Sequence, residues 1–113
     1  MTTVESLMAE AALAIAADLD RAREFGGVYK FVLEGFDGRT FILDLGENPR
    51  VIDGDGDAQC TIYMEASDFI ALMEGRADRR ALFFMGRLTV EGDWGLAMRL
   101  KDIDELRAAE NGR

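Results

Sequence analysis

The chain lacks histidine altogether and has one cysteine, one proline and one tryptophan among 113 residues. Without an imidazole, catalytic triads, histidine proton shuttles and histidine-ligated metal sites are excluded. With Cys60 as the single thiol, an intrachain disulfide and a thiolate metal cluster are excluded too, and this composition favours a reducing compartment. We therefore expect no cofactor, no bound metal and no enzymatic activity.

Positive charge and long apolar runs are also scarce. Thirteen basic residues against 22 acidic ones give a formal net charge of −9, which opposes binding to nucleic acids and to anionic membranes. The longest apolar run, residues 11–17, is far shorter than the ~20 residues that span a bilayer, and Glu5 and Glu10 stand where a signal peptide needs positive charge. We expect a cytoplasmic protein that binds no nucleic acid and makes weak or transient membrane contact at most.

What the chain does have is enough apolar material for a single core. Its hydrophobic content is 49% and no linker-like segment interrupts it, so we expect residues 1–113 to form one domain. The first segment predicts one amphipathic helix, which begins at Thr2 with Glu5 at capping-box spacing and ends at Gly26. Its apolar stripe has a helical period and comprises Val4, Leu7, Met8, Ala11, Ile15, Leu19 and Ala22.

Beyond this helix, alternating apolar residues predict strands at residues 29–33 and 41–45. A two-residue turn at residues 37–38 would pair Leu33 with Ile42 and put the two apolar sets on opposite faces. Either the turn is longer or both faces are covered. Three further strands are predicted at residues 50–52, 59–64 and 87–91, and three further helices are predicted to be capped by Ser67, Asp78 and Asp93.

The last predicted helix has two apolar faces. Leu96 begins a stripe that continues through Leu100, Ile103 and Leu106, whereas Trp94 and Met98 point away from it. Seven phenylalanines and six methionines are present, and many of them crowd between residues 69 and 98. Two short helices and a strand cannot bury so much apolar surface against a five-stranded sheet, so this crowding predicts either a cavity or an exposed apolar patch.

Two charged segments have competing interpretations. The acidic run at residues 53–57 resembles the start of a calcium loop, but the sixth and twelfth loop positions hold Ala58 and Met64, so we expect a solvated turn without calcium. Four cations gather near the Phe83–Phe84 pair, namely Arg76, Arg79, Arg80 and Arg87. They either attract an anionic lipid head group, with Arg79 and Arg80 as the candidates, or pair with neighbouring carboxylates such as Glu74, Asp78 and Glu91.

Several segments together resemble the sterol carrier protein 2 domain, also called non-specific lipid-transfer protein. The segments are Gly26-Gly27-Val28-Tyr29-Lys30-Phe31, Phe41-Ile42-Leu43-Asp44-Leu45, Cys60-Thr61-Ile62-Tyr63-Met64, residues 67–75, Phe83-Phe84-Met85-Gly86-Arg87-Leu88 and residues 92–100. They follow the order of that family and cover nearly the whole chain. Only two lysines, Lys30 and Lys101, occur among the cations, and this is typical of a bacterial, single-domain member.

The resemblance implies an α+β fold, with a five-stranded mixed, mainly antiparallel sheet and helices on one face that enclose an apolar tunnel. It also implies carriage, without catalysis, of a lipid ligand such as a fatty acid, fatty acyl-CoA, isoprenoid or sterol-like molecule. By position, the residues expected to line the tunnel are Phe31, Phe69, Met73, Phe83, Phe84, Met85, Leu88, Trp94, Ala97 and Met98.

A second interpretation keeps the same apolar residues but gives them another partner. The surface around Trp94 and Met98 would then serve protein interaction or dimerisation, accessory to a lipid-metabolic enzyme, and a homodimer stays open. Members of the family in eukaryotes usually end in a peroxisomal tripeptide, whereas this sequence ends in Asn111-Gly112-Arg113. We therefore expect no peroxisomal targeting.

Overall fold

The computed structural model describes residues 1–100, which form a mixed five-stranded sheet with helices against one face. The strands are β1 (Val28–Glu34), β2 (Arg39–Asp44), β3 (Arg50–Asp53), β4 (Cys60–Glu65) and β5 (Leu88–Gly92). The helices are α1 (Val4–Ala17), α2 (Leu19–Phe25), α3 (Ala66–Met73) and α4 (Arg79–Phe84), and residues 94–100 are helical too.

The strand order is β3-β2-β1-β4-β5. Strands β1 and β4 run parallel, whereas the pairs β1–β2, β2–β3 and β4–β5 are antiparallel. The expected α+β class with a mixed, mainly antiparallel sheet is therefore confirmed. The two parallel strands form the middle of the sheet, and the long connection between them carries the hairpin of β2 and β3.

The first hairpin resolves the register that the sequence left open. Phe31 lies opposite Phe41, and Leu33 lies opposite Arg39, so the apolar residues of β1 and β2 share one face. The connection is four residues long, and Gly38 donates its backbone N–H to the carbonyl oxygen of Gly35 at 2.9 Å. Of the two alternatives that the sequence left open, the longer turn is therefore the one present.

One face of the sheet is covered by the helices and holds the core. Each covered side chain alternates with one that points to the open face, as the pleat requires. Tyr29 is fully buried there, and Val4 of α1 and Ala66 of α3 are fully buried against the same core. Further members of the core include Leu7, Met8, Ile15, Leu33, Phe41, Cys60, Ile62, Met64, Phe69, Leu88 and Leu96.

The predicted single N-terminal helix is wrong, because the helix breaks at Asp18. Asp18 leaves helical geometry, and its Oδ1 accepts a hydrogen bond from the backbone N–H of Arg21 at 3.1 Å, which begins α2. As a result Leu19 leaves the buried stripe and is 41% exposed. The predicted cap is also displaced by one residue, since Thr3 rather than Thr2 forms a capping box with Ser6.

The three predicted caps of the later helices have different outcomes. Asp78 and Asp93 are confirmed, because their carboxylates accept the backbone N–H of Ala81 at 3.4 Å and of Leu96 at 3.1 Å. The prediction of Ser67 as a cap is wrong, because the N-cap of α3 lies two residues earlier, at Glu65, and Glu65 makes no side-chain capping bond. The chain passes directly from the last residue of β4, Glu65, into α3.

The acidic loop between β3 and β4 lies over the open face of the sheet. Asp55 is exposed, but its Oδ1 lies 2.9 Å from Lys30 Nζ on β1. Gly56 approaches Ile42 so closely that a Cβ would contact the Ile42 side chain, and Ile42 is only 4% exposed. The loop therefore shields an apolar side chain on the face that no helix covers.

No helix within residues 1–100 combines the length and the apolar composition needed to cross a membrane.

Candidate functional site

Three aromatic rings pack together inside the core. The ring centroids of Phe31 and Phe41 lie 5.0 Å apart in a stacked arrangement. Phe69 of α3 meets Phe31 at 5.7 Å and Phe41 at 6.1 Å. This inner aromatic cluster, defined by these three residues, joins the centre of the sheet to the helix layer. The sequence predicted Phe31 and Phe69 as site residues but missed Phe41, although its alternating position in β2 was visible.

A second group of rings lies at the surface, where α4 meets the helix at residues 94–100. The Phe83 ring centroid lies 5.9 Å from that of Phe84 and 5.7 Å from that of Trp94. Exposure is 42% for Phe83, 83% for Phe84 and 51% for Trp94. Met85 and Met98 are 64% and 65% exposed, and we call these five residues the outer apolar patch.

The three remaining predicted site residues, Leu88, Met73 and Ala97, are all at least half-buried. Leu88 is buried on the covered face of β5, opposite Met64 of β4, whereas Met73 and Ala97 are half-buried beside the core. The two-faced helix is confirmed at residues 94–100, because Leu96 is 9% exposed while Trp94 and Met98 face solvent. Ile103 and Leu106, predicted to extend the stripe, lie outside the described residues.

The four arginines near the outer apolar patch are not equivalent. Arg87 donates to Asp68 of α3 through Nε at 3.0 Å and Nη2 at 2.7 Å, so it pairs with a carboxylate that the sequence analysis did not name. Arg76 pairs with Glu74, as the pairing interpretation expects. Arg80 is exposed and forms no ion pair with any residue that the structure describes.

Arg80 stands four residues before Phe84 on α4. Side chains at this spacing share one helix face, so a cation and an exposed ring lie side by side. Arg79 is half-buried on the same helix and has an interaction of its own. Among the two head-group candidates, Arg80 is therefore the more accessible to a molecule at the outer apolar patch.

Burial shifts the pKa values of two core residues, Cys60 and Tyr29. Burial raises the pKa of the Cys60 thiol, and the nearby Asp93 carboxylate raises it further. Because the thiolate is the reactive form, a buried neutral thiol is a poor nucleophile. Burial also raises the pKa of Tyr29, whose hydroxyl has no hydrogen-bond partner among residues 1–100. Sequence reasoning missed Tyr29, because a tyrosine in an alternating strand pattern does not reveal whether its hydroxyl is paired.

A separate groove of about 370 Å³ opens near the carboxyl ends of β1 and β4. The groove is lined by Glu34, Tyr63, Met64, Glu65, Gly86, Arg87 and Thr89. This lining is largely polar and includes none of the ten residues predicted to contact lipid. Among residues 1–100, no group of three or more cysteine, aspartate or glutamate side chains is arranged to hold a metal ion.

Comparison with known proteins identifies relatives for nearly all of this architecture. The family model described as "SCP-2 sterol transfer family" matches residues 8–104. The chain is 37% identical to human Sterol carrier protein 2 over 86 residues, which cover 72% of this chain and 16% of the human protein. It is 35% identical to Hydroxysteroid dehydrogenase-like protein 2 of Xenopus tropicalis over 81 residues, 68% of this chain and 19% of that protein. The chain thus spans under a fifth of either relative.

The fold is similar to a solved insect structure as well. Sterol Carrier Protein-2 of Aedes aegypti, determined in complex with the C16 fatty acid palmitate, superposes with a TM-score of 0.70. The match covers 86% of this chain and 89% of the insect chain at 22% sequence identity. At this level of identity the likeness supports the fold.

Proposed function

Since this chain belongs to the SCP-2 sterol transfer family, we propose that it binds and carries a lipid between its sheet and its helices, without catalysing a reaction on it. The lipid would be a fatty acid, a fatty acyl-CoA, an isoprenoid or a sterol-like molecule. The absence of histidine from the sequence and the buried state of Cys60 favour carriage over catalysis. The insect relative in complex with palmitate supports this class of ligand.

The observation that carries the proposal is the outer apolar patch. Soluble domains rarely leave five large apolar side chains exposed at one place unless the surface binds something. Phe83 touches both Phe84 and Trp94, so the three rings of the patch are contiguous. A lipid tail would remove this surface from water at a gain of roughly 25 cal/mol per Å² of apolar area.

The proposed path of the tail leads from the outer apolar patch to the core. Leu88 and Phe69 are buried, and Met73 and Ala97 are half-buried. These side chains are apolar and unbranched or aromatic in the main, so they can adapt to a flexible chain. An anionic head group would stay at the surface near Arg79 and Arg80, where a guanidinium can donate two hydrogen bonds to a carboxylate or phosphate.

Trp94 provides the test, because it is the single tryptophan and is 51% exposed. We expect palmitate to shift the Trp94 emission to shorter wavelength and to reduce its quenching by acrylamide, because the tail excludes water from the indole. Affinity in the micromolar range is expected. Native mass spectrometry of the purified protein would identify a lipid that accompanies it. Unchanged Trp94 emission together with no bound lipid would contradict the proposal.

The head-group assignment has its own control. Replacing both Arg79 and Arg80 with alanine is expected to weaken binding of palmitate and palmitoyl-CoA, but not of the uncharged 1-hexadecanol. Arg76→Ala serves as the matched control, because Arg76 is engaged with Glu74 at the surface. If the double variant binds palmitate with the affinity of the parent protein, these arginines do not contact the head group.

A second candidate function follows from the same exposure. Trp94 and Met98 are 51% and 65% exposed, and aromatic and methionine side chains are common at protein interfaces. The patch could then bind a second copy of the chain or a lipid-metabolic enzyme. The relative from Xenopus tropicalis favours this idea, since the matched region is 19% of a longer protein named for a dehydrogenase.

Light scattering at several protein concentrations separates the two candidates. A lipid-free dimer that Met98→Glu dissociates would favour the interaction module. A monomer that carries lipid would favour the carrier.

Finally, we propose that residues 1–113 form one domain and act in the cytoplasm, where the single buried thiol of Cys60 would stay reduced.

A further inference from the structure

Tyr29 carries a buried hydroxyl that forms no hydrogen bond with the residues that the structure describes. The residue has 0% exposure, and within the described part of the chain its Oη is the one buried side-chain oxygen or nitrogen without a hydrogen-bond partner. Leaving such a group unpaired forfeits its hydration without a compensating hydrogen bond, and native proteins rarely accept this cost. An orphan hydroxyl in an apolar core is therefore a candidate contact for a ligand.

The position of Tyr29 places it in the layer that the proposed lipid would occupy. It lies on the covered face of β1, beside Leu43 of β2 and Cys60 of β4. Phe31, two residues further along the same face, belongs to the inner aromatic cluster. The neighbours of Tyr29 along and across the sheet offer it apolar surface and a thiol, which is a weak hydrogen-bond partner.

The electrostatic surroundings restrict what the hydroxyl can bind. Burial raises the pKa of Tyr29; the Arg99 guanidinium opposes this effect, and Cys60 and Asp93 add to it. The hydroxyl thus stays protonated and can donate at neutral pH. Arg99 also donates from Nη1 to the carbonyl oxygen of Phe25 at 2.6 Å, and it keeps its charge in doing so. Burial is nevertheless the largest of the effects on Tyr29, so an ionised carboxylate there would lose hydration that the Arg99 charge only partly replaces.

We propose that Tyr29 determines ligand specificity by donating a hydrogen bond from its hydroxyl to a neutral oxygen, a hydroxyl or a carbonyl, on the buried part of the bound lipid. This inference rests on the proposed carrier function and adds a ligand class to it. Because Tyr29 has no exposed surface, the lipid reaches the hydroxyl by displacing side chains that cover it. A charged head group would remain near Arg79 and Arg80.

The substitution Tyr29→Phe tests the proposal, because it removes the hydroxyl and keeps the ring. Three probes of equal chain length are compared by displacement of a fluorescent fatty acid, whose own affinity is measured for each variant: 1-hexadecanol, hexadecane and palmitate. We expect the affinity for 1-hexadecanol to fall about fivefold to tenfold, as for one lost hydrogen bond. The affinities for hexadecane and palmitate should stay within about twofold of the parent protein.

The chain has two tyrosines, so it supplies a matched control. Tyr63 lies on the open face of β4 and hydrogen-bonds Glu91, and Tyr63→Phe should leave all three affinities unchanged. Equal changes for 1-hexadecanol and hexadecane in Tyr29→Phe would overturn the specificity role while leaving the carrier function intact. If the parent protein binds none of the three probes, the carrier function fails and the proposal fails with it.

Discussion

Arg87 and Asp68 form a two-pronged ion pair that ties the start of β5 to α3. The guanidinium meets the carboxylate through Nε at 3.0 Å and through Nη2 at 2.7 Å. Asp68 is 7% exposed and is the single buried charged residue among residues 1–100. The pair fixes α3, which carries Phe69, relative to the connection between α4 and β5.

Replacing Arg87 with methionine should destabilise the fold. The substitution keeps the apolar stem but leaves the Asp68 carboxylate buried without its partner, which costs about 1–3 kcal/mol. Urea unfolding measures the loss. Arg76→Met is the control, because the Arg76–Glu74 pair is exposed at the surface and should contribute less than about 1 kcal/mol. Equal losses in the two variants would contradict the structural role of Arg87.

Two glycines with positive φ should respond differently to alanine. Gly86 has φ 73° and Gly92 has φ 91°, but a Cβ on Gly86 meets open space whereas one on Gly92 runs into the carbonyl oxygen of Gln59. Gly86→Ala should therefore cost about 1–2 kcal/mol for the backbone conformation alone. Gly92→Ala should cost roughly 1–3 kcal/mol more, through the clash. Thermal unfolding would compare them, and a Gly92 variant as stable as the Gly86 variant would refute the close approach.

Alanine substitutions at Phe69 and Phe84 should have different effects, one on the free energy of unfolding and the other on the affinity for palmitate. Phe69→Ala empties part of the inner aromatic cluster and should cost about 3–5 kcal/mol of unfolding free energy. Phe84 is 83% exposed, so Phe84→Ala should change stability by about 0.5 kcal/mol or less. In the carrier function, however, Phe84→Ala should lower the affinity for palmitate roughly fivefold to tenfold.

The control for the Phe84 variant is Phe36. Phe36 is 99% exposed, in the turn between β1 and β2 rather than in the outer apolar patch. Phe36→Ala should leave the palmitate affinity unchanged. If both alanine variants weaken binding by the same factor, exposed phenylalanines act non-specifically and the patch has no special role.

The ion pair between Lys30 and Asp55 should set the pH range in which the acidic loop is held. The hydrogen bond from Lys30 lowers the pKa of Asp55, and the same bond raises the pKa of Lys30. The Asp55 contribution to stability is therefore present above about pH 4 and is lost as the pH falls through its lowered pKa. The Lys30 contribution is present below about pH 10 and is lost as the pH rises through its raised pKa.

Carboxyl chemical shifts measured by NMR would follow this titration directly. In the parent protein Asp55 should titrate below its usual pKa of about 3.9, and in Lys30→Gln its pKa should move back toward that value. A pKa of Asp55 that Lys30→Gln leaves unchanged would show that the pair does not form in solution.

The sequence predicted local structure well where a short-range signal was decisive. Asp78 and Asp93 cap helices as expected, because a capping carboxylate bonds to an N–H only a few residues away. The prediction failed at Asp18 because the apolar stripe continues at helical period across the break, from Ile15 to Ala22. It failed at Ser67 because the chain enters α3 directly from β4, so the first turn needs no side-chain cap.

The candidate site was predictable as a set of residues but not as an arrangement. Apolar crowding and the family resemblance pointed to Phe69, Phe83 and Trp94 alike. The structure separates them, with Phe69 in the inner aromatic cluster and the other two at the surface. Which ring is buried depends on how α3, α4 and the helix at residues 94–100 pack on the sheet, and such distant packing leaves no periodic signal in the sequence.

The sequence by itself determined which function classes the composition excludes, the five strand segments and the two-faced character of residues 94–100. These follow from side-chain chemistry and from the periods of the helix and the strand, which act over a few residues. The tertiary structure alone decided that Arg87 pairs with Asp68, and that the buried hydroxyl of Tyr29 has no partner among the described residues. Both depend on which side chains, distant along the chain, the packing of helices on the sheet brings into contact or keeps apart.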